Sequence, residues 1–360
     1  MATEILISTD KISSIVEQTI QQLKSDDPYL KISAAKEIRR LTKTSLKYRR
    51  QFSSTIEYLV SMLKSDVPEF NEFGLLALLN LAVKDEKNKV TIIQSGALDP
   101  LISFLLSCNS NLREYATAAF LTLSASAFNK PTISASGAIP LLVDILRDGS
   151  PQAKVDSLMT LYNLSTLEEN LTRILSFNVI SPIVTLLRTC KKSSKTAEKC
   201  TALLESLMVF EEGRVGLTSE EGGVLAVVEI LENGSLQSRD HAVGALLTMC
   251  ESDRAKYREP ILKEGVIPGL LELTVQGMPK SQVKARTLLH LLRNSPYPRS
   301  EIQPDTLENI VTNIVSQFDG EEQGGKAKKM LADMVQVSME QSLKHLQQRA
   351  FPIANKVSSK

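Results

Sequence analysis

Apolar residues in this chain arrive in short bursts, each closed by a polar or glycine-containing break. The longest bursts read Gly74-Leu75-Leu76-Ala77-Leu78-Leu79-Asn80-Leu81, Ala116-Thr117-Ala118-Ala119-Phe120-Leu121-Thr122-Leu123 and Ser157-Leu158-Met159-Thr160-Leu161-Tyr162-Asn163-Leu164. Two more run through Cys200 to Leu207 and Ala242 to Met249. Their apolar positions recur at helical spacing on more than one face, as in a helix packed between two neighbours. No stretch alternates as a half-buried strand does, so the pattern predicts an all-α protein. Within these helices Leu121 and Leu161 are expected to be buried between repeats, and Lys192 to be solvated.

Between the bursts a second phrase returns: a small or turn-forming residue, an apolar pair, then an apolar run. It begins at Gly96, Gly137, Asn178, Gly222 and Gly265, at intervals of 41, 41, 44 and 43 residues. Gly at these points predicts a left-handed residue ending one helix, and Asn178 is the next best residue for that conformation. Pro100, Pro140, Pro182 and Pro268 then fit the first turn of the following helix. An amphipathic helix such as Leu141 to Leu146 follows, then a polar break such as Arg147 to Pro151, then the long burst. The unit is three helices, and its period of about 42 residues is that of a helical solenoid. Such repeats contact their neighbours and form one continuous rod. The expected division is a capping or partial repeat over 1–50, repeats over 51–300, divergent capping helices over 301–350 (broken at Gly320 to Gly325) and a disordered tail over 351–360.

Charge changes this picture little. With 42 basic and 41 acidic residues the net charge is +1, which gives no global field for nucleic acid or a membrane surface. The start, Met1 to Ser8, lacks the basic and apolar regions of a signal peptide, and no run has the length of a membrane span. Cys108, Cys190, Cys200 and Cys250 show no paired spacing, which predicts free thiols in the reducing cytoplasm or nucleus. His241, His290 and His345 are far apart and read as helix-surface or packing residues. No metal spacing, phosphate loop or nucleophile motif occurs. The expectation is therefore no cofactor, no metal and no enzymatic activity.

The corner phrase, the period and the three-helix unit resemble armadillo repeats. Several phrases are similar to the repeats of plant U-box ubiquitin ligases and their relatives without a U-box. These are Asn88-Lys89-Val90-Thr91-Ile92, Asn129-Lys130-Pro131-Thr132-Ile133, Glu211 to Leu217, Ala242 to Leu247, Glu264 to Pro268 and Leu346 to Ala350. The resemblance implies a right-handed superhelical solenoid of about six to eight repeats. It also implies protein partners, among them cytoplasmic kinase domains, ubiquitination machinery or trafficking complexes. A U-box opens with a Cys-Pro-Ile-like signature, and no such motif occurs in these 360 residues, so ligase activity is not carried over. Nuclear-import adaptors place Trp four residues before a third-helix Asn; here Leu76, Ala118, Met159, Ala202 and Gly244 hold those places, and the chain has no Trp.

In armadillo repeats the third helices line a concave groove. Residues at the Asn-like position and four, seven and eight earlier share one side of each helix. The groove set is Glu72, Phe73, Asn80, Glu114, Tyr115, Thr122, Asp156, Met159, Asn163, Lys199, Ser206 and Thr248. Its amides and hydroxyls are expected to bond an extended partner segment, with Phe73, Tyr115 and Met159 supplying pockets. A basic loop with Arg188, Lys191, Lys192 and Lys195 is a second contact candidate, for an acidic partner or a lipid headgroup. The leading expectation is a non-enzymatic interaction scaffold. The alternatives are a substrate-binding subunit of a ubiquitin ligase assembly, then a nuclear transport adaptor.

Overall fold

The computed structural model describes residues 14–293, and the regular elements in that span are all helical. Helix α1 covers 14–24, followed by α2 (Pro28–Thr42). Six complete triplets follow among the described residues. Their first helices are α3 (Leu46–Gln51), α6 (Glu86–Gln94), α9 (Lys130–Ala135), α12 (Glu169–Leu175), α15 (Glu211–Ser219) and α18 (Arg254–Lys263). The second helices are α4 (Ile56–Leu63), α7 (Leu98–Leu105), α10 (Ala138–Asp148), α13 (Ile180–Thr189), α16 (Gly223–Asn233) and α19 (Ile267–Gln276). The third are α5 (Pro68–Ala82), α8 (Ser110–Ser124), α11 (Pro151–Leu164), α14 (Lys195–Leu207), α17 (Leu236–Ser252) and α20 (Pro279–Arg293). The chain divides into two compact units, Met1–Pro182 and Ile183–Lys360. The capping helices expected over 301–350, the tail over 351–360, His345, the phrase at Leu346 and the Met1 region lie outside the described residues.

The corners form as the sequence predicts. Gly96, Gly137, Gly222 and Gly265 have φ of 82°, 84°, 70° and 77°, and Asn178 has φ 54°. A β-carbon in this region costs roughly 1–2 kcal/mol, which accounts for the recurring Gly. The polar breaks act as helix starts: Asn109, Ser150, Ser194 and Ser235 each accept a hydrogen bond from the first turn of a third helix, satisfying donors that the helix itself leaves free.

Packing corrects one expectation. Leu161 is fully buried, but Leu121 is only half-buried. In α8 the core face is set by Ala116, Ala119, Phe120 and Leu123; Leu121 falls beside Ala118 and Thr122, on the side left partly open.

The first helices carry a feature that ties the repeats together. Asn88, Asn129 and Asn170, at 1%, 2% and 2% exposure, each stand eight residues before a corner. Asn88 Nδ2 donates to Leu81 O at the end of α5 (3.0 Å) and to Arg49 O on the preceding first helix (3.2 Å). Asn129 repeats this with Leu123 O (3.2 Å) and Lys89 O (3.0 Å). Asn170 uses Leu164 O (2.9 Å) and Ser134 Oγ (2.8 Å). Arginine does the capping at two other joints, with Arg49 Nε to Thr42 O at 2.9 Å and Arg214 Nη1 to Met208 O at 2.8 Å. The last carbonyls of an α-helix have no intrahelical partner, and burying them unpaired is costly. Each amide therefore satisfies a third-helix end and bridges to the previous repeat.

Asn129→Ala is expected to cost about 1–3 kcal/mol, because it strands buried carbonyls. Leu161→Ala should cost about 2–5 kcal/mol and Leu121→Ala clearly less. Urea unfolding of the three variants checks the order; equal losses for Leu121→Ala and Leu161→Ala would contradict this packing.

Candidate functional site

In the first unit, α5, α8 and α11 present a partly open face that holds nine of the predicted groove residues. Glu72, Phe73, Asn80, Glu114, Tyr115, Thr122, Met159 and Asn163 are half-buried on it. Asp156 is 8% exposed. The polar groups are more committed to the fold than the sequence suggests. Asn80 Nδ2 donates to Arg39 O on α2 (2.7 Å) and Asn163 Nδ2 to Ser124 Oγ on α8 (3.0 Å). Thr122 Oγ1 donates back to Ala118 O, 2.9 Å away in its own helix. These amides thus tie α5 to α2 and α11 to α8, and a partner's backbone would have to use the second Nδ2 hydrogen or the Oδ1 of each.

Charge distinguishes this face. One acid stands near the start of each third helix, at Glu72, Glu114 and Asp156, 42 residues apart. Aromatic residues follow the first two, Phe73 and Tyr115. Over the Phe73 ring sits the ammonium of Lys36 from α2, 4.2 Å from the centroid, a cation–π contact within the usual range. Asp156 accepts from Gln152 Nε2 on its own helix at 2.8 Å. Burial pushes the Asp156 carboxyl above its ordinary range; the Gln152 bond opposes this, and the Glu114 charge adds to the rise.

In the second unit, α14, α17 and α20 hold the other predicted positions. Lys199 lies 3.4 Å from Glu198, and the hydroxyls of Ser206 and Thr248 donate to Ala202 O and Gly244 O one turn back in their own helices (3.2 and 3.0 Å). Sequence reasoning missed the network beside them. Glu205 receives the Lys284 ammonium on Oε1 (2.9 Å) and lies 2.6 Å from His241 Nδ1 on Oε2. Lys284 also reaches Asp240 Oδ2 (3.2 Å), and Ser281 Oγ donates to Asp240 Oδ1 (2.7 Å). Burial lowers the Lys284 pKa, but the Glu205 and Asp240 carboxylates more than offset it, and the net direction is upward. A β-carbon on Gly244 would collide with the Glu205 carboxylate, so this glycine makes room for the ion pair. Glu198 and Asp240 continue the 42-residue acid register; here both acids have a lysine of their own chain, Lys199 and Lys284.

The basic loop is partly internal. Lys192 pairs with Glu229 Oε2 on α16 (2.8 Å) and donates to Leu187 O (2.9 Å), so it is not simply solvated. Arg188 reaches Glu221 O at 3.5 Å, while Lys191 and Lys195 are exposed. Cys108, Cys190, Cys200 and Cys250 are free thiols. Among the described residues no group of His, Cys, Asp and Glu could hold a metal ion, and no single helix is long and apolar enough to cross a membrane.

Comparison with known proteins gives these features a context. The model of the plant U-box protein ARM repeat region matches residues 12–309. U-box domain-containing protein 45 of Arabidopsis thaliana is 32% identical over 266 residues, 74% of this chain and 34% of that protein. U-box domain-containing protein 17 of the same plant is 27% identical over 298 residues, 81% of this chain and 39% of that protein. The chain thus spans about a third of the length of these curated relatives. Among solved structures, an engineered protein aligns with a TM-score of 0.68 at 18% identity, over 90% of this chain and 78% of its own. Computationally designed armadillo repeat proteins for modular peptide recognition align with a TM-score of 0.50 at 18% identity, over 76% and 98%. These two likenesses establish the armadillo-repeat fold.

Asp156 supplies a pH test of the face. The fold favours its protonated form, so ionisation costs stability at every pH above its raised folded pKa, and the cost vanishes below the unfolded value of about 3.9. Asp156→Asn is expected to be more stable than wild type at pH 7, with the gain fading as pH falls through that window. Thermal melts at several pH values check this; a gain that persists at low pH would contradict it.

Proposed function

The chain belongs to the family of plant U-box protein armadillo-repeat regions, and on that premise we propose that it is a non-enzymatic protein-interaction scaffold. Its binding surface in this reading is the third-helix face of the first unit, where Glu72, Glu114 and Asp156 receive a basic, extended partner segment beside Phe73 and Tyr115. The observation that carries it is the lysine already seated there: Lys36 lies over Phe73, while among the described residues no cation lies within salt-bridge distance of Glu114 or Asp156, whose charges interact. Packed helices lie about 10 Å apart, and an extended chain advances about 3.4 Å per residue. The matching segment therefore carries Lys or Arg roughly every third residue. The free thiols suit a reducing compartment, the cytoplasm or nucleus.

A second reading rests on the U-box relatives: the scaffold serves as the substrate-holding part of a ubiquitin ligase assembly whose catalytic module is on another chain or segment. Both readings use the same face and differ in what the bound partner undergoes.

Fluorescence anisotropy with a labelled peptide bearing lysine at every third position tests the site. Glu114→Lys with Tyr115→Ala is expected to weaken binding about tenfold or more, equivalent to about 1.4 kcal/mol, and wild-type binding should fall steeply with added salt. Binding that survives this change but is lost on charge reversal of Lys191 and Lys195 with an acidic probe would move the site to the basic loop.

A further inference from the structure

The third helices α5 and α8 do not close fully on one another. A cleft of about 10 Å3 lies between Leu78, Leu79 and Ala82 of α5 and Ala119, Thr122 and Leu123 of α8, and apolar side chains of α4, α6 and α7 complete its walls. Leu79 and Thr122 are half-buried and the other four are buried, so the cleft opens between these two, on the third-helix face and next to Asn80. Thr122 is the one residue of the lining with a polar side chain, and its hydroxyl hydrogen is already committed to Ala118 O at 2.9 Å.

Size and polarity together define what fits. The volume is close to the least that one water needs, but a water held there would require about two to four polar partners, and the lining offers only that one bonded hydroxyl. A gap between packed apolar groups forfeits dispersion contacts. A methyl-sized apolar group therefore gains by entering.

The charges around the cleft decide what carries that group. Leu79 and Thr122 stand seven and eight residues after Glu72 and Glu114, roughly 11 Å along the helix axis at about 1.5 Å per residue. From a segment that passes the mouth, a long cationic side chain reaches toward these acids, while a short branched one reaches only the cleft. Asn80, beside the mouth, keeps its Oδ1 to accept from the backbone of such a segment while its Nδ2 bonds Arg39 O.

We propose that this cleft is the specificity pocket of the first-unit face: it takes a short branched aliphatic side chain, valine in shape, that stands between two lysines of the bound segment. The inference rests on the reading of that face as the site of a basic, extended segment, and it adds the residue between the cations to what is recognised.

Two labelled peptides test the pocket on the full chain by fluorescence anisotropy, one with valine at both positions between successive lysines and one with threonine there. The two side chains share a shape and differ by a hydroxyl, which is costly to bury without a partner. The valine peptide is expected to bind about fivefold or more tightly, and Leu79→Phe, which fills the mouth, should bring the two affinities together. A valine preference that survives Leu79→Phe would overturn the proposal. Equal affinities of the wild type for both peptides, with binding lost in Glu114→Lys with Tyr115→Ala, would overturn the pocket and leave the basic-segment reading in place; no binding of either peptide would overturn both. Should Leu79→Phe fail to fold, methyl NMR on the wild type decides. The valine peptide is expected to shift the Leu79 and Leu123 methyls and leave those of Leu246, fully buried in α17, unmoved; shifts no larger than the threonine peptide gives would contradict the pocket.

Discussion

The fold depends on how the ends of its third helices are closed. Helices α2, α5, α8, α11 and α14 end with carbonyls that no later turn can bond, and a side chain of the next first helix reaches back to donate to them. Asn88, Asn129 and Asn170 do it with an amide that also bonds the previous repeat, and Arg49 and Arg214 do the capping with a guanidinium. A hydrophobic interface alone leaves helices free to slide, because burial is non-directional. The amide bonds are directional and fix the register at the three joints that carry them.

That division of labour leaves the third-helix faces free to differ chemically. The same register position carries Glu72, Glu114 and Asp156 in one unit and Glu198 and Asp240 in the other. In the second unit Lys284 answers Asp240 and Glu205, with Gly244 giving space. In the first unit burial, and after it the Glu114 charge, raises the cost of ionising Asp156. A repeat protein can thus satisfy its own charges on one stretch and leave them for a partner on another, with the backbone unchanged.

Much of this was legible in the sequence, for physical reasons that differ by element. The left-handed corners declare themselves because Gly, and once Asn178, is the residue that tolerates that backbone. The Ser and Asn helix starts are equally local. Leu121 misled because a helix buried on more than one face shows weak periodicity, so the phase of its half-open side has to come from packing. The amides at Asn80 and Asn163 looked available but bond the neighbouring helix, and the buried amides eight residues before the first three corners went unread as ties although their spacing is regular. Glu205 and Lys284 are 79 residues apart; their pairing depends on how three successive third helices, α14, α17 and α20, stack, which no local pattern encodes.

The directness of the amide ties can be measured on the side-chain NH2 protons themselves. In hydrogen exchange followed by NMR on the full chain, the Nδ2 protons of Asn88, Asn129 and Asn170 are expected to persist until the unit that holds them unfolds, while those of half-exposed Asn80 exchange far sooner. If the amide protons of Asn129 and Asn170 exchange as fast as those of Asn80, they do not hold the repeats together, and this account of the fold is wrong.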